Sequence, residues 1–143
     1  MKTTSSYEIT LVNLSPRQWR AFLIEHSHLP GSQPNLELAQ AFAHIGTLMD
    51  FKKYVNLSSD EAPADSPQEF LVLCGLLGLG NYLGKYHDGG LLKIVQEKAN
   101  DSRPRVREAV VRALKAIGRK NVGRLLKYAQ KWMKGSFYEQ RAV

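Results

Sequence analysis

The sequence predicts an all-α protein, on three observations. Apolar residues recur at helical spacing in nearly every segment, the helix-start pair Ser-Pro appears twice, and one helical segment finds a shifted copy of itself earlier in the chain. Tyr7-Glu8-Ile9-Thr10-Leu11-Val12 has weak strand character, but no second strand signal exists to pair with it. Residues 1–14 are therefore expected to be an extended or frayed arm, and residues 15–143 a single domain. A chain of 143 residues is long enough for one real core.

Ser15-Pro16 opens the first helix, since serine caps well and proline suits the first helical position. Trp19, Phe22 and Leu23 fall on one face and are expected in the core. A loop with two prolines and a glycine, Leu29 to Pro34, ends that helix. Asn35 caps the next, whose apolar face is Leu36, Leu38, Ala39, Phe42 and Ile45, continuing weakly through Leu48 and Phe51 to Tyr54. The N-terminal helices thus occupy 15–56.

After a polar loop, Ser66-Pro67 repeats the start signal for a helix over 66–84. Its run from Phe70 to Leu79 is apolar nearly all round, so it should be the most buried helix. Gly75 and Gly78 each cost roughly 1 kcal/mol of helix propensity relative to alanine, and close approach of a neighbour is the reading that explains them there. Cys74, the single cysteine, is expected to be a small buried hydrophobe. Further helices follow at Leu91–Ala99, from about Pro104 to Ile117, from about Val122 to Met133, and from near Ser136 to Val143, where the last is cut short. The expected total is about seven.

The self-similarity lies in Asp101–Gly118. Moved back 38 residues, Ala113, Leu114, Ala116, Ile117 and Gly118 become Gly75, Leu76, Gly78, Leu79 and Gly80; moved forward 33, Ala109-Val110 becomes Ala142-Val143. Val106, Ala109, Val110, Ala113, Leu114 and Ile117 make one apolar stripe, and a single such hairpin cannot bury its face alone. The segment's order of Asp101, Pro104, Val106-Arg107, alanines and leucines, and a closing Gly118 resembles the second half of a HEAT repeat. Residues 91–118 match best, 36–80 loosely, and 121–143 would be an incomplete repeat. The resemblance implies an α–α superhelix and gives Asp101 and Arg107 a structural role, tying adjacent repeats together. It also places Arg105, Arg112, Lys115 and Arg119 on the concave side. Trp19, Phe22-Leu23, His26-Ser27, Leu29-Pro30-Gly31 and Asn35-Leu36-Glu37-Leu38 are similar to uncharacterised bacterial HEAT-repeat proteins, which carry no activity to transfer.

The net charge of +7 is uneven. Residues 1–89 hold 6 Lys/Arg against 9 Asp/Glu, a balance of −3, and residues 90–143 hold 14 against 4, a balance of +10. That asymmetry suggests an anionic partner for the C-terminal half. Arg105, Arg112, Lys115 and Arg119, with Arg124, Lys127 and Lys131 on the following helix, are the candidate partner-binding cations. A solvated face that keeps the chain dispersed is the competing reading.

No catalytic constellation is visible. His26, His28, His44 and His87 lack metal-ligand spacing, Cys74 has no plausible base, and no cofactor motif occurs. Lys131-Trp132 followed by Arg141-Ala142 resembles HEAT-like DNA glycosylases that act on alkylated bases, over about a dozen residues. The aspartate that resemblance implies is met in the basic half only by Asp101, which the repeat turn already claims. The expected function is a protein-interaction scaffold for an acidic partner, with nucleic acid as the alternative. No leader segment and no membrane-length apolar run is seen, so a cytoplasmic protein without a membrane partner is expected. An open apolar C-terminal end would favour self-association.

Overall fold

The computed structural model describes residues 6–134 and 137–142. Among them are nine helices and no strand: α1 (Ser6–Asn13), α2 (Pro16–Glu25), α3 (Leu36–Ile45), α4 (Leu48–Val55), α5 (Glu69–Lys85), α6 (Gly89–Lys98), α7 (Pro104–Lys120), α8 (Val122–Trp132) and α9 (Phe137–Ala142). The protein is all-α. The first five residues of the expected arm, Ser136 and Val143 lie outside the described residues.

The number of helices exceeds the expected seven for two local reasons. Residues 6–13 are helical rather than extended. With no strand to pair with, a helix is the only regular structure that satisfies their backbone groups internally. Its period also suits the core: Leu11 is fully buried, and Tyr7 and Leu14 pack against the same cluster. Trp19 Nε1 donates to the Leu11 carbonyl at 2.8 Å, and Asn35 Nδ2 donates to the Tyr7 hydroxyl at 3.2 Å, so α1 is tied to α2 and α3.

The second reason is a break inside the segment expected to run to Tyr54. Gly46 turns extended, and Thr47 starts α4 with a reciprocal cap: its hydroxyl accepts from the Asp50 N–H and the Asp50 carboxylate accepts from the Thr47 N–H. A Cβ on Gly46 would meet the Phe42 and Phe51 rings at 2.8 Å. Glycine there lets α3 and α4 fold onto one shared edge-to-face aromatic pair.

α5 is the spine. Fourteen of its 17 residues are buried, including Cys74, whose thiol burial pushes well above its ordinary pKa. It contacts α2, α3, α4, α6 and α7. Its glycines set the distances. A Cβ on Gly75 would sit 2.7 Å from the Phe51 carbonyl oxygen and from Val55 on α4, and one on Gly80 would sit 2.6 Å from the Ala113 carbonyl oxygen on α7. A Cβ on Gly84 would meet the side chain of Lys120 at 2.9 Å. The pairings Gly80 with Ala113 and Gly84 with Lys120 make α5 and α7 parallel. Leu36 lies beside Leu73 and Leu77, early in α3 and midway along α5, and Asn81 Nδ2 donates to the Ala43 carbonyl at 3.3 Å, late in both, so α3 is parallel as well. α4 runs antiparallel, with Val55 at Gly75 and Phe51 at Gly78.

All six residues of the apolar stripe of α7 are buried. On α8, Tyr128 and Trp132 are buried while Val122 and Leu126, and Met133 just after the helix, remain more than half exposed.

Candidate partner-binding groove

Three parallel helices leave a groove. α5 forms its floor with Leu73, Leu77 and Asn81. α3 and the loop before it form one wall, with Ser32, Pro34, Leu36, Gln40 and His44, and α7 forms the other. The narrow stretch holds two depressions of ≈ 90 and ≈ 70 Å³, and the groove widens to ≈ 460 Å³ near Lys120. The narrow depressions are far below the roughly 300–1,000 Å³ of small-molecule sites, so they suit single side chains.

All four α7 cations of the sequence reading line this groove, but not with equal availability. Arg105 is committed: its guanidinium donates to the Asp65 carboxylate and to the Gly31 carbonyl, closing the narrow end of the groove. The Asp65 carboxyl is held below its usual pKa by that Arg105 hydrogen bond and the Gly31 N–H. Arg112 lies 3.5 Å from Glu108, one helical turn back on an exposed face, where such pairs contribute little. Lys115 and Arg119 are exposed and make no ion pair among the described residues. The usable charge therefore sits at Arg112, Lys115 and Arg119, beside an apolar floor.

The three α8 candidates do not join this groove. Arg124, Lys127 and Lys131 line a separate depression with His87 and Tyr128. Arg124 donates to the Leu83 carbonyl at 2.8 Å, so part of its guanidinium is structural.

The Asp101 turn contains a residue the sequence reading missed. Arg107 Nη1 donates to the Asp101 and Ser102 carbonyls, within its own turn. Arg103 makes the long-range tie. It is 2% exposed, its Nε and Nη2 donate to the Asp101 carboxylate at 2.8 and 2.9 Å, and its Nη groups donate to the carbonyls of Leu57, Ser58 and Ala62. It thereby joins the 101–103 turn to the loop between α4 and α5. Burial works to raise the Asp101 pKa, but the Arg103 hydrogen bonds and charge outweigh it and the net shift is downward. The available signal was local: an arginine two residues after an aspartate and directly before Pro104, whose ring keeps it extended.

Glu69 was likewise missed. It is fully buried at the start of α5, accepts from the Asp65 N–H at 3.0 Å, and lies 3.9 Å from Arg105; its Oε2 has no hydrogen-bond partner among the described residues. Burial pushes its pKa up, against the pull of the Asp65 N–H, Arg105 and Arg103. An acid whose folded pKa lies above its unfolded value stabilises the fold fully below the unfolded pKa, and that contribution is lost as pH rises through the folded pKa. Glu69 therefore contributes a fall in the urea midpoint as pH rises above the ordinary carboxylate pKa. Glu69→Gln should flatten that fall, and an unchanged slope would show that Glu69 ionises as freely in the fold as outside it.

Among the described residues, no three His, Cys, Asp or Glu side chains come together as a metal site, and no helix is long and apolar enough to cross a membrane. The fold and groove define a helical protein with a concave, partly basic surface. No family model, curated protein or solved structure matches the chain.

Proposed function

We propose that this chain is a HEAT-type binding module whose α3–α7 groove receives an acidic segment of a partner protein. The carrying observation is the row Arg112, Lys115 and Arg119 set beside an apolar floor of Leu73 and Leu77. Side-chain-sized sockets accept apolar anchors, and the cations accept carboxylates. That combination suits a peptide with alternating acidic and aliphatic residues better than a phosphate backbone, which has nothing to place in the sockets. The parallel α3, α5 and α7 support the repeat reading, because stacked hairpins repeat their helix directions.

The test is fluorescence anisotropy with a labelled Glu/Leu-rich peptide. Arg112→Glu/Lys115→Glu/Arg119→Glu should weaken binding by about tenfold or more, as expected when charge complementarity is reversed. Replacing the peptide's leucines with glycine should weaken it as well. Equal binding by the charge-reversed protein would refute the groove as the site.

A further inference from the structure

We infer that the trough along α8 is a second binding surface, and that its ligand is single-stranded nucleic acid. The trough encloses ≈ 650 Å³ and shares no lining residue with the α3–α7 groove. Its cations are Arg124, Lys127 and Lys131, and no carboxylate lines it among the described residues. Lys127 and Lys131 are exposed and make no hydrogen bond or ion pair among the described residues. On an α-helix the three positions follow one another along one face, at roughly 1.5 Å of rise per residue. They form a short row of positive charge able to track a phosphate backbone.

The second observation is aromatic. His87 lines the trough with its ring exposed, and its Nδ1 is fixed 2.8 Å from the Tyr128 hydroxyl. The ring is presented to solvent and held from behind, so stacking on it costs little further side-chain freedom. A held ring beside a row of cations combines the two elements by which proteins grip single strands without reading sequence. A duplex keeps its base faces stacked on one another and would leave the ring idle. An acidic peptide would use the cations alone.

The experiment is anisotropy with a labelled oligothymidine of about a dozen nucleotides, a length that spans one such site. Binding is expected to weaken steeply with salt. Lys127→Glu/Lys131→Glu should weaken it by about tenfold or more and flatten the salt slope. His87→Ala should weaken it by about tenfold, while His87→Phe, which keeps a ring, stays near wild type. All of these side chains are exposed, and circular dichroism will show that the variants fold. The charge-reversed α3–α7 groove variant should bind the oligonucleotide as wild type does, which separates the two surfaces. Three results would overturn the inference: no binding at low salt, tighter binding to a duplex of equal length, or full binding by His87→Ala.

Discussion

Arg103→Met is expected to destabilise the protein by about 3–5 kcal/mol, the range found when one partner of a buried ion pair is removed. For a chain of this size that is a fall in Tm of about 10–20 °C. Methionine fills much of the volume of the arginine stem, so little of the loss would be cavity. The loss comes from polar groups left behind: the Asp101 carboxylate, which keeps the backbone N–H of residue 103 at 2.9 Å and Lys98 at 3.7 Å but loses the guanidinium, and the carbonyls of Leu57 and Ala62, while that of Ser58 keeps the Ala62 N–H. Arg103→Lys should recover only part of the stability, because one ammonium cannot reproduce a planar fork reaching a carboxylate on one side and three carbonyls on the other. Acid should act on the same tie. The Asp101 pKa is depressed in the fold, so its contribution is present above the ordinary carboxylate pKa and is lost as pH falls through the depressed one. Urea unfolding of the two variants at neutral and acidic pH checks both statements. A change below about 1 kcal/mol for Arg103→Met would show that water replaces the arginine without loss.

Gly80→Ala is expected to destabilise as well, against the direction that helix propensity gives. Alanine favours an interior helical position by about 1 kcal/mol over glycine. The new methyl would lie 2.6 Å from the Ala113 carbonyl oxygen and 2.7 Å from its Cα. These are backbone atoms of a packed helix, so relief requires moving α7 away from α5 along their shared length. Overpacking of that kind costs about 1–3 kcal/mol, and more where the obstacle is rigid, so the net should be a loss of about 1–2 kcal/mol. Gly89→Ala is the matched comparison. Nothing lies within 4 Å of a Cβ there, and the residue begins α6, so a gain of about 0.4–1 kcal/mol is expected. Opposite signs in thermal melts would separate contact from propensity, and a stabilising Gly80→Ala would refute the close approach of α5 and α7.

Much of the fold was legible because its signals are local. Ser15-Pro16 and Asn35 mark helix starts by the chemistry of their side chains, and both starts fall there. The all-round apolar run of 70–79 could only be a buried helix, and its glycines lie where neighbours touch. Residues 6–13 misled because Glu8-Ile9-Thr10-Leu11 alternates over a few residues, and the spacing of Tyr7, Leu11 and Leu14 reads as a helix face only once α2 and α3 are there to receive it. The break at Gly46 was hidden by apolar residues that continue across it, since Phe42 and Phe51 pack on each other from both sides of the bend.

The candidate site was legible as charge and not as geometry. Seven basic residues looked alike in sequence. Their differences depend on distant acceptors: Asp65 and the Gly31 carbonyl for Arg105, the Leu83 carbonyl for Arg124. Periodicity carries no information about those pairings. Arg103 shows the same limit, since its three carbonyl acceptors lie more than 40 residues away in sequence.

The burial of α5 also has a consequence during synthesis. Its face for α7 is completed only when Lys120 has followed Lys85, an interval of 35 residues. At translation rates of about 5–20 residues per second, that side of an almost wholly apolar helix waits about 2–7 s for its cover. During that wait the glycines that later admit α7 present a flat, unprotected strip to any other nascent or unfolded chain. Changes that slow the docking of α7 are therefore expected to appear first as aggregation in the cell, before any loss of stability in the purified protein.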